Sequence, residues 1–365
     1  MPVITRVLAL VLLVASLVTA CSPPAPAVPG SATAVPTVSR LTSTAAPAIP
    51  VPTAQPTVAP TTVPRPSTTP APTPAAPAAP ASKAVPAGFP VTVTDDDGDT
   101  VTFDRPPQRI VSLSPGHTET LYALGLGDRV IVTDTYSDYP PENKPRAKLH
   151  TYPKPNAEVL VSLRPDLIVD LVEGHDFTQQ MNARGIKVLK LFPKTFDGTL
   201  KDIELLGRVT GTEARAQRIT ADMRERAAVV VAKTKDAPTP RVLYELDASD
   251  PTRPFVAGPG GFFGDLVPMA GGANVFADLR TPSAQVSAEQ IIARDPQIII
   301  LGDANAPYNA QTPAMVKART GWSQISAVRE NTIYEINDAY LSRPGPRLID
   351  GLEQMAKIIH PELFR

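Results

Sequence analysis

Of 365 residues only one is a cysteine, Cys21, and only one is a tryptophan. A single thiol excludes an intrachain disulfide and any metal site built from several thiolates. Acidic residues are missing from the first 88 positions, and residues 22–88 hold no aromatic residue at all. Beyond the first twenty residues no stretch is apolar for the roughly 20 residues that a membrane-spanning helix needs. There is no basic excess either. Residues 89–365 carry 31 basic against 36 acidic side chains, a formal charge of −5, which excludes nucleic acid as a partner. Catalytic motifs are also missing. Gly258-Pro259-Gly260-Gly261-Phe262-Phe263-Gly264 has the glycines of a dinucleotide loop but not its strand, helix and acid, nor the Lys-Ser/Thr pair of a phosphate loop. It reads as a turn leading into a helix. Ser114 and His117 are close in sequence, but no nucleophile elbow surrounds them. No enzymatic role is expected.

What is present begins with an export segment at residues 1–20. Arg6 precedes an apolar run from Val7 to about Val18, and Val18-Thr19-Ala20-Cys21 follows. The run suits the core of a signal peptide. Small residues before Cys21 resemble a lipobox, in which the thiol is acylated and anchors the chain to the outer face of a cell membrane. Firm attachment takes more than one acyl chain.

The next segment, 21–88, is a tether. Residues 22–88 hold 18 of the 43 prolines among Ala, Thr, Val and Ser, with Arg40, Arg65 and Lys83 as their only charges. Repeated prolines remove backbone donors and fix φ near the polyproline value, so neither helix nor sheet is expected. Fully extended the tether reaches roughly 200 Å, and as a flexible coil roughly 45 Å.

From Phe89 onward the pattern is α/β. Pro90–Thr94 and Asp99–Phe103 flank an Asp/Gly turn and predict a β-hairpin. Short apolar strands are expected at 109–113, 129–133, 166–170, 186–191, 241–246, 297–301 and 332–336, with helices between them. Ala214, Ile219, Met223, Ala227 and Val231 recur at helical spacing. They predict one long helix over 212–236 joining an N-terminal lobe, 89–211, to a C-terminal lobe, 237–365.

An internal echo links the lobes. Asn156-Ala157-Glu158 runs on to Arg164-Pro165-Asp166-Leu167-Ile168-Val169, and Ser287-Ala288-Glu289 to Asp295-Pro296-Gln297-Ile298-Ile299-Ile300, without a gap. Asn156 and Ser287 are helix caps, and Glu158 and Glu289 fall in first turns, where the helix dipole favours a carboxylate. A matched pair of surface carboxylates suits a symmetric partner with two basic sockets.

Ser112-Leu113-Ser114-Pro115-Gly116-His117-Thr118-Glu119, Tyr136-Ser137-Asp138-Tyr139-Pro140-Pro141, Ala270-Gly271-Gly272-Ala273-Asn274 and Ser342-Arg343-Pro344-Gly345-Pro346-Arg347 resemble motifs of a known family. They are similar to the substrate-binding lipoproteins of ABC importers for vitamin B12, ferric siderophores and haem, above all to its vitamin B12-binding members. The resemblance covers about residues 89–362. It implies the class III periplasmic-binding-protein fold: two Rossmann-like α/β lobes joined by one long rigid helix, with the ligand between them. It implies a monomer that captures a metal chelate and delivers it to a permease dimer with its ATPase. Glu158 and Glu289 match the residues that pair with permease arginines.

For the ligand the resemblance implies Tyr136 against a corrin ring, with Tyr152 where the B12 proteins have a Trp. Two further aromatic positions are Leu171 and Ser283 here, and Tyr340 is a substitute. Cobalamin, haem and a ferric siderophore all stay open as bound ligand, and no resident cofactor is expected. His117, His150 and His175 are placed in loops near a cleft, where imidazoles could ligate zinc or a chelated metal. With Asp338 as the acid they would suit a receptor for bare zinc or manganese. A surface scaffold without transport is the remaining alternative.

Overall fold

The computed structural model describes residues 88–143, 147–151, 154–172, 174–306 and 309–365. Cys21, the tether and Tyr152 lie outside the described residues. None of the described helices is long and apolar enough to cross a membrane.

The hairpin pairs β1 (Val91–Thr94) with β2 (Thr100–Phe103). Each aspartate of its turn ties the turn to the first lobe or closes it. Asp95 accepts from the backbone of Lys190 and Asp99, Asp96 from Phe192, and Asp97 from Gly174. The first lobe is a five-stranded parallel sheet of β3 (Ile110–Ser112), β4 (Val130–Asp134), β5 (Ala147–Leu149), β6 (Leu167–Asp170) and β7 (Lys187–Lys190). Their order is β5-β4-β3-β6-β7. Crossovers of the right length are supplied by α1 (Pro115–Ala123), α2 (Ala157–Ser162) and α3 (His175–Asn182).

Two helices follow, α4 (Phe196–Thr210) and α5 (Glu213–Thr234). Gly211 turns the chain between them in the left-handed region, at φ 73°, where a side chain would be strained. The expected long helix is α5, but it does not run alone. It packs along α4 and along α11 (Leu348–Ile359) near the chain end, while α4 touches both β1 and α6 (Phe262–Met269). The glycines before α6 form the expected turn.

The second lobe is a mixed sheet of β8 (Arg241–Asp247), β9 (Phe255–Ala257), β10 (Ala273–Asn274), β11 (Ser283–Gln285), β12 (Ile298–Leu301) and β13 (Ile333–Glu335). Its path is β11-β9-β8-β12-β13, with β10 beside β8. The helices α7 (Ala288–Arg294), α8 (Pro313–Ala318), α9 (Ser326–Arg329) and α10 (Asp338–Leu341) complete it.

Strand alternation sorts the core into three layers. Leu167 and Val169 of β6 face the same apolar cluster as Leu200 and Leu206 of α4, Met223 and Val230 of α5, and Ile298 and Ile300 of β12. Ile168 faces away into the first lobe's outer cluster, and Ile299 and Leu301 into the second lobe's. The lobes are therefore joined by one continuous apolar core through α4 and α5, as well as by chain connectivity.

One buried acid on α4 gives a testable consequence. Asp202 is 7 % exposed, its Oδ2 has no hydrogen-bond partner, and burial, helped by the nearby Asp96, pushes its pKa up to about 8. Folded chain then keeps a proton that unfolded chain releases above its ordinary pKa, so Asp202 makes stability fall as pH rises from about 4 to 8. Asp202→Asn is expected to raise Tm by about 5 °C at pH 8 and not at pH 4. Thermal melts at both pH values check this, and an equal effect at the two would contradict it.

Candidate functional site

The echoed segments take equivalent places. Asn156 caps α2 by accepting from Glu158 and Val159 N–H, and Ser287 caps α7 in a reciprocal box with Gln290. Both helices end the same way, on a non-glycine residue with positive φ: Arg164 at 48° and Asp295 at 42°. Arg109, just before β3, donates to the carbonyls of Arg164 and Leu163, and Arg241 at the start of β8 donates to that of Asp295. Glu158 and Glu289 are thereby presented on exposed first turns of equivalent helices. A hydrogen bond from Ser287 holds the Glu289 carboxyl below its ordinary pKa.

A cleft of about 910 Å³ lies between the lobes. From the first lobe it is lined by the start of α1 and by the loop after β4, with Tyr136, Asp138 and Tyr139, and by Leu171 after β6. From the second lobe come Leu246, Asp303, Asn305, Asn337, Asp338, Arg343 and Arg347. Tyr136, Tyr139 and Leu171 are 54 %, 40 % and 37 % exposed, so an apolar lip stands open to solvent.

The loop carrying Tyr136 is held from beneath by polar groups that are buried except for Lys148. Asp134 accepts from Tyr136 N–H at 2.8 Å and from the Ser137 hydroxyl. Thr118 bridges Ser137 and Ser112, each at 2.8 Å. Asn143 Nδ2 and Lys148 Nζ both donate to the Ser137 carbonyl, at 2.7 and 2.5 Å. Burial raises the Asp134 pKa against these bonds. Such a network fixes an otherwise irregular loop.

Across the base of the cleft the lobes meet through charge. Glu119 of α1, side chain 2 % exposed, accepts from Arg347 Nε at 2.8 Å and Nη2 at 2.6 Å. Arg343 lies 3.6 Å from the same carboxylate and donates to Asp138 at 2.5 Å. Burial opposes ionisation of both Asp138 and Arg347. The Arg343 hydrogen bond and charge outweigh it at Asp138, whose pKa is lowered, and Glu119 outweighs it at Arg347, whose pKa is raised. The Arg347 guanidinium also stacks 3.8 Å from the Tyr139 ring and 5.1 Å from that of Tyr340. Beside these ion pairs the backbones touch. A Cβ on Gly116 would come within 2.5 Å of the Pro344 carbonyl oxygen, so only glycine fits there.

On the second-lobe wall, burial and the nearby Glu245 push the Asp303 pKa up to about 7. Burial raises that of Asp338 as well.

The structure brings Tyr136 and Leu171 into the cleft lining together with Asp338. Tyr340 supports Arg347 from the half-buried start of α10 and does not itself line the cleft. Ser283 sits exposed on the edge strand β11. The histidines depart from expectation. His117 is in α1 rather than in a loop, 3 % exposed, with Nε2 on the Leu191 carbonyl at 2.9 Å, and burial lowers its pKa to about 4. His150 is exposed after β5 and His175 opens α3 with Nδ1 3.1 Å from Asp99; neither lines the cleft. No group of three His, Cys, Asp or Glu able to hold an ion occurs among the described residues. Sequence reasoning missed Asp138, Asp303, Arg343 and Arg347 as cleft residues, and Glu119 as the carboxylate behind the two arginines. Four of them stand inside the motifs that carry the resemblance, but their pairing spans up to 228 positions and leaves no local signature.

Comparison with known proteins agrees with this architecture. The profile of the periplasmic binding protein family matches residues 110–340. An uncharacterised ABC transporter substrate-binding lipoprotein of Bacillus subtilis is 32 % identical over 284 residues, 76 % of this chain and 88 % of its own. A cobalamin-binding protein of Halobacterium salinarum is 30 % identical over 281 residues, 74 % of each chain. Among solved structures, a periplasmic haem-binding protein of Roseiflexus superposes with a TM-score of 0.62 at 25 % identity, over 70 % of this chain and 99 % of that one. The chain belongs to the periplasmic binding protein family, as an extracytoplasmic, non-catalytic solute-binding protein of the ABC-transporter type.

Proposed function

We propose that the cargo is cobalamin or a related corrinoid, held between the lobes and handed to a permease dimer that docks on Glu158 and Glu289. One observation carries the choice of cargo. Among the described residues, the two arginines lining the cleft are already neutralised by the chain's own carboxylates, Glu119 and Asp138. A corrinoid ring edged with amides needs apolar faces and neutral hydrogen-bonding groups. Tyr136, Tyr139 and Leu171 supply the first, and Asn305 and Asn337 supply the second. A haem with two propionates, or a trianionic catecholate chelate, calls for cations free to pair with it. The similarity to the cobalamin-binding protein of Halobacterium salinarum supports the same reading.

In this reading Tyr136 packs on the ring, Leu171 widens the lip and Tyr340 steadies Arg347. Tyr152 and Cys21 keep the roles that the sequence suggests, as ring contact and lipid attachment. The haem-binding neighbour makes haem the second reading.

Calorimetric titration of residues 22–365 with cyanocobalamin, haem, ferric siderophores and zinc separates these. Saturable one-to-one binding is expected with cyanocobalamin. Heat with haem alone would reject the corrinoid and support the second reading, and heat with a siderophore or zinc alone would reject both. Silence with every probe would reject chelate capture and favour a surface scaffold.

A further inference from the structure

We infer that Glu119 is a built-in counter-anion that sets cargo selectivity, keeping anionic chelates out of a cleft whose wall carries two arginines. The inference rests on the corrinoid reading above and assigns its discrimination to one residue.

Glu119 does not line the cleft, whereas Arg343 and Arg347 do. Its side chain is 2 % exposed, and both its oxygens are taken by Arg347, with Arg343 3.6 Å away. A ligand entering the cleft therefore meets guanidiniums whose charge is answered from the protein side. The bidentate geometry holds Arg347 in place, and the Tyr139 ring covers one of its faces. Arg343 is shared between buried Glu119 and Asp138, whose side chain is 69 % exposed. The first lobe thus supplies two carboxylates to the second lobe's two guanidiniums. Take away the buried carboxylate, and the same wall becomes an anion site with planar, preorganised donors. Selectivity against an anion follows because that anion must displace a carboxylate already in place, inside a partly desolvated site where like-charge contact is expensive.

The test compares wild type, Glu119→Gln and Glu119→Asp as the whole chain from residue 22. The probes are cyanocobalamin, which carries no net charge, and ferric enterobactin, a trianion. Glutamine keeps the shape and some hydrogen bonding to Arg347 while removing the charge. The ratio of ferric enterobactin affinity to cyanocobalamin affinity is expected to rise about tenfold or more in Glu119→Gln. The gain should shrink as salt is raised, and Glu119→Asp should return the ratio towards wild type. A contact serving only to hold the lobes would weaken both probes together and leave the ratio and its salt dependence unmoved. That outcome, in a variant folded by circular dichroism, overturns the inference.

Should Glu119→Gln fail to fold, Asp138→Asn frees Arg343 from the exposed side, and a rise of about threefold is expected. No rise there overturns the inference equally. A wild type that ignores cyanocobalamin rejects the corrinoid reading. A charge-dependent gain in ferric enterobactin binding by the variant would support the counter-anion role even then.

Discussion

Reversing two charges, Glu158→Lys together with Glu289→Lys, is expected to cut ligand uptake by about 100-fold while soluble ligand binding persists. Both carboxylates are exposed on first turns, one on each lobe, so their loss disturbs folding little. Each gives up a first-turn acid's interaction with the helix dipole, and Glu289 also its hydrogen bond from Ser287. The large effect comes from the partner. Lysine facing a basic socket replaces attraction by repulsion at two points at once, and the pair acts through orientation as well as affinity. Single reversals should fall between wild type and the double variant. Uptake assays in cells, paired with titration of the purified variant, check this. Normal uptake by the double variant would reject the docking assignment.

The second large effect is one of stability. Arg319→Leu is expected to cost about 3–5 kcal/mol, because it strands Glu245 with an unanswered buried charge. Glu245 sits on β8 with its side chain 0 % exposed, and Arg319 reaches it at 2.5 and 2.8 Å from α8's C-terminal end. Gln311 accepts from the same guanidinium at 2.9 Å, and Trp322 lies under it at 4.5 Å. For a folded part of this size the loss corresponds to a Tm lower by roughly 10 °C. Glu245→Met together with Arg319→Leu should recover most of it, since a well-packed apolar pair replaces a buried ion pair at little net cost. A single variant melting within 2 °C of wild type would show that the pair is not what holds α8 to the sheet.

Much of the fold was legible because it is written locally. The hairpin turn, the Ser-Pro-Gly start of α1 and the capped helices each depend on residues within a few positions. Strands such as Ile298–Leu301 are short apolar runs bounded by Pro296 and Gly302. The repeat extends further, since Arg109 and Arg241 and the left-handed Arg164 and Asp295 belong to it, although the last two differ in charge. The helix α4 was missed despite Leu200, Ile203, Leu206 and Val209 recurring at three-residue spacing. Its apolar face covers both lobes, and that is a tertiary fact.

The candidate site was less legible for the same reason. An imidazole in a loop pattern says nothing of whether it faces solvent, a cleft or a carbonyl. His117 found the Leu191 carbonyl, 74 positions away. Glu119 and Arg347 could be seen as members of motifs but not as partners. Long-range ion pairs are fixed by the way two lobes meet, which no periodicity records.

The backbone contact of Gly116 with Pro344 gives that meeting a mechanical meaning. With no side chain between the two strips of main chain, the lobes bear on a hard fulcrum beside the cleft, backed by a continuous apolar core. Small rotations about such a bearing move its surroundings little and the far tips of the lobes more. Glu158 and Glu289 ride on those lobes like the points of a caliper. Under the docking proposal, a permease with two fixed sockets must engage both points at once, so the spacing that this bearing sets between the lobes decides whether the receptor fits.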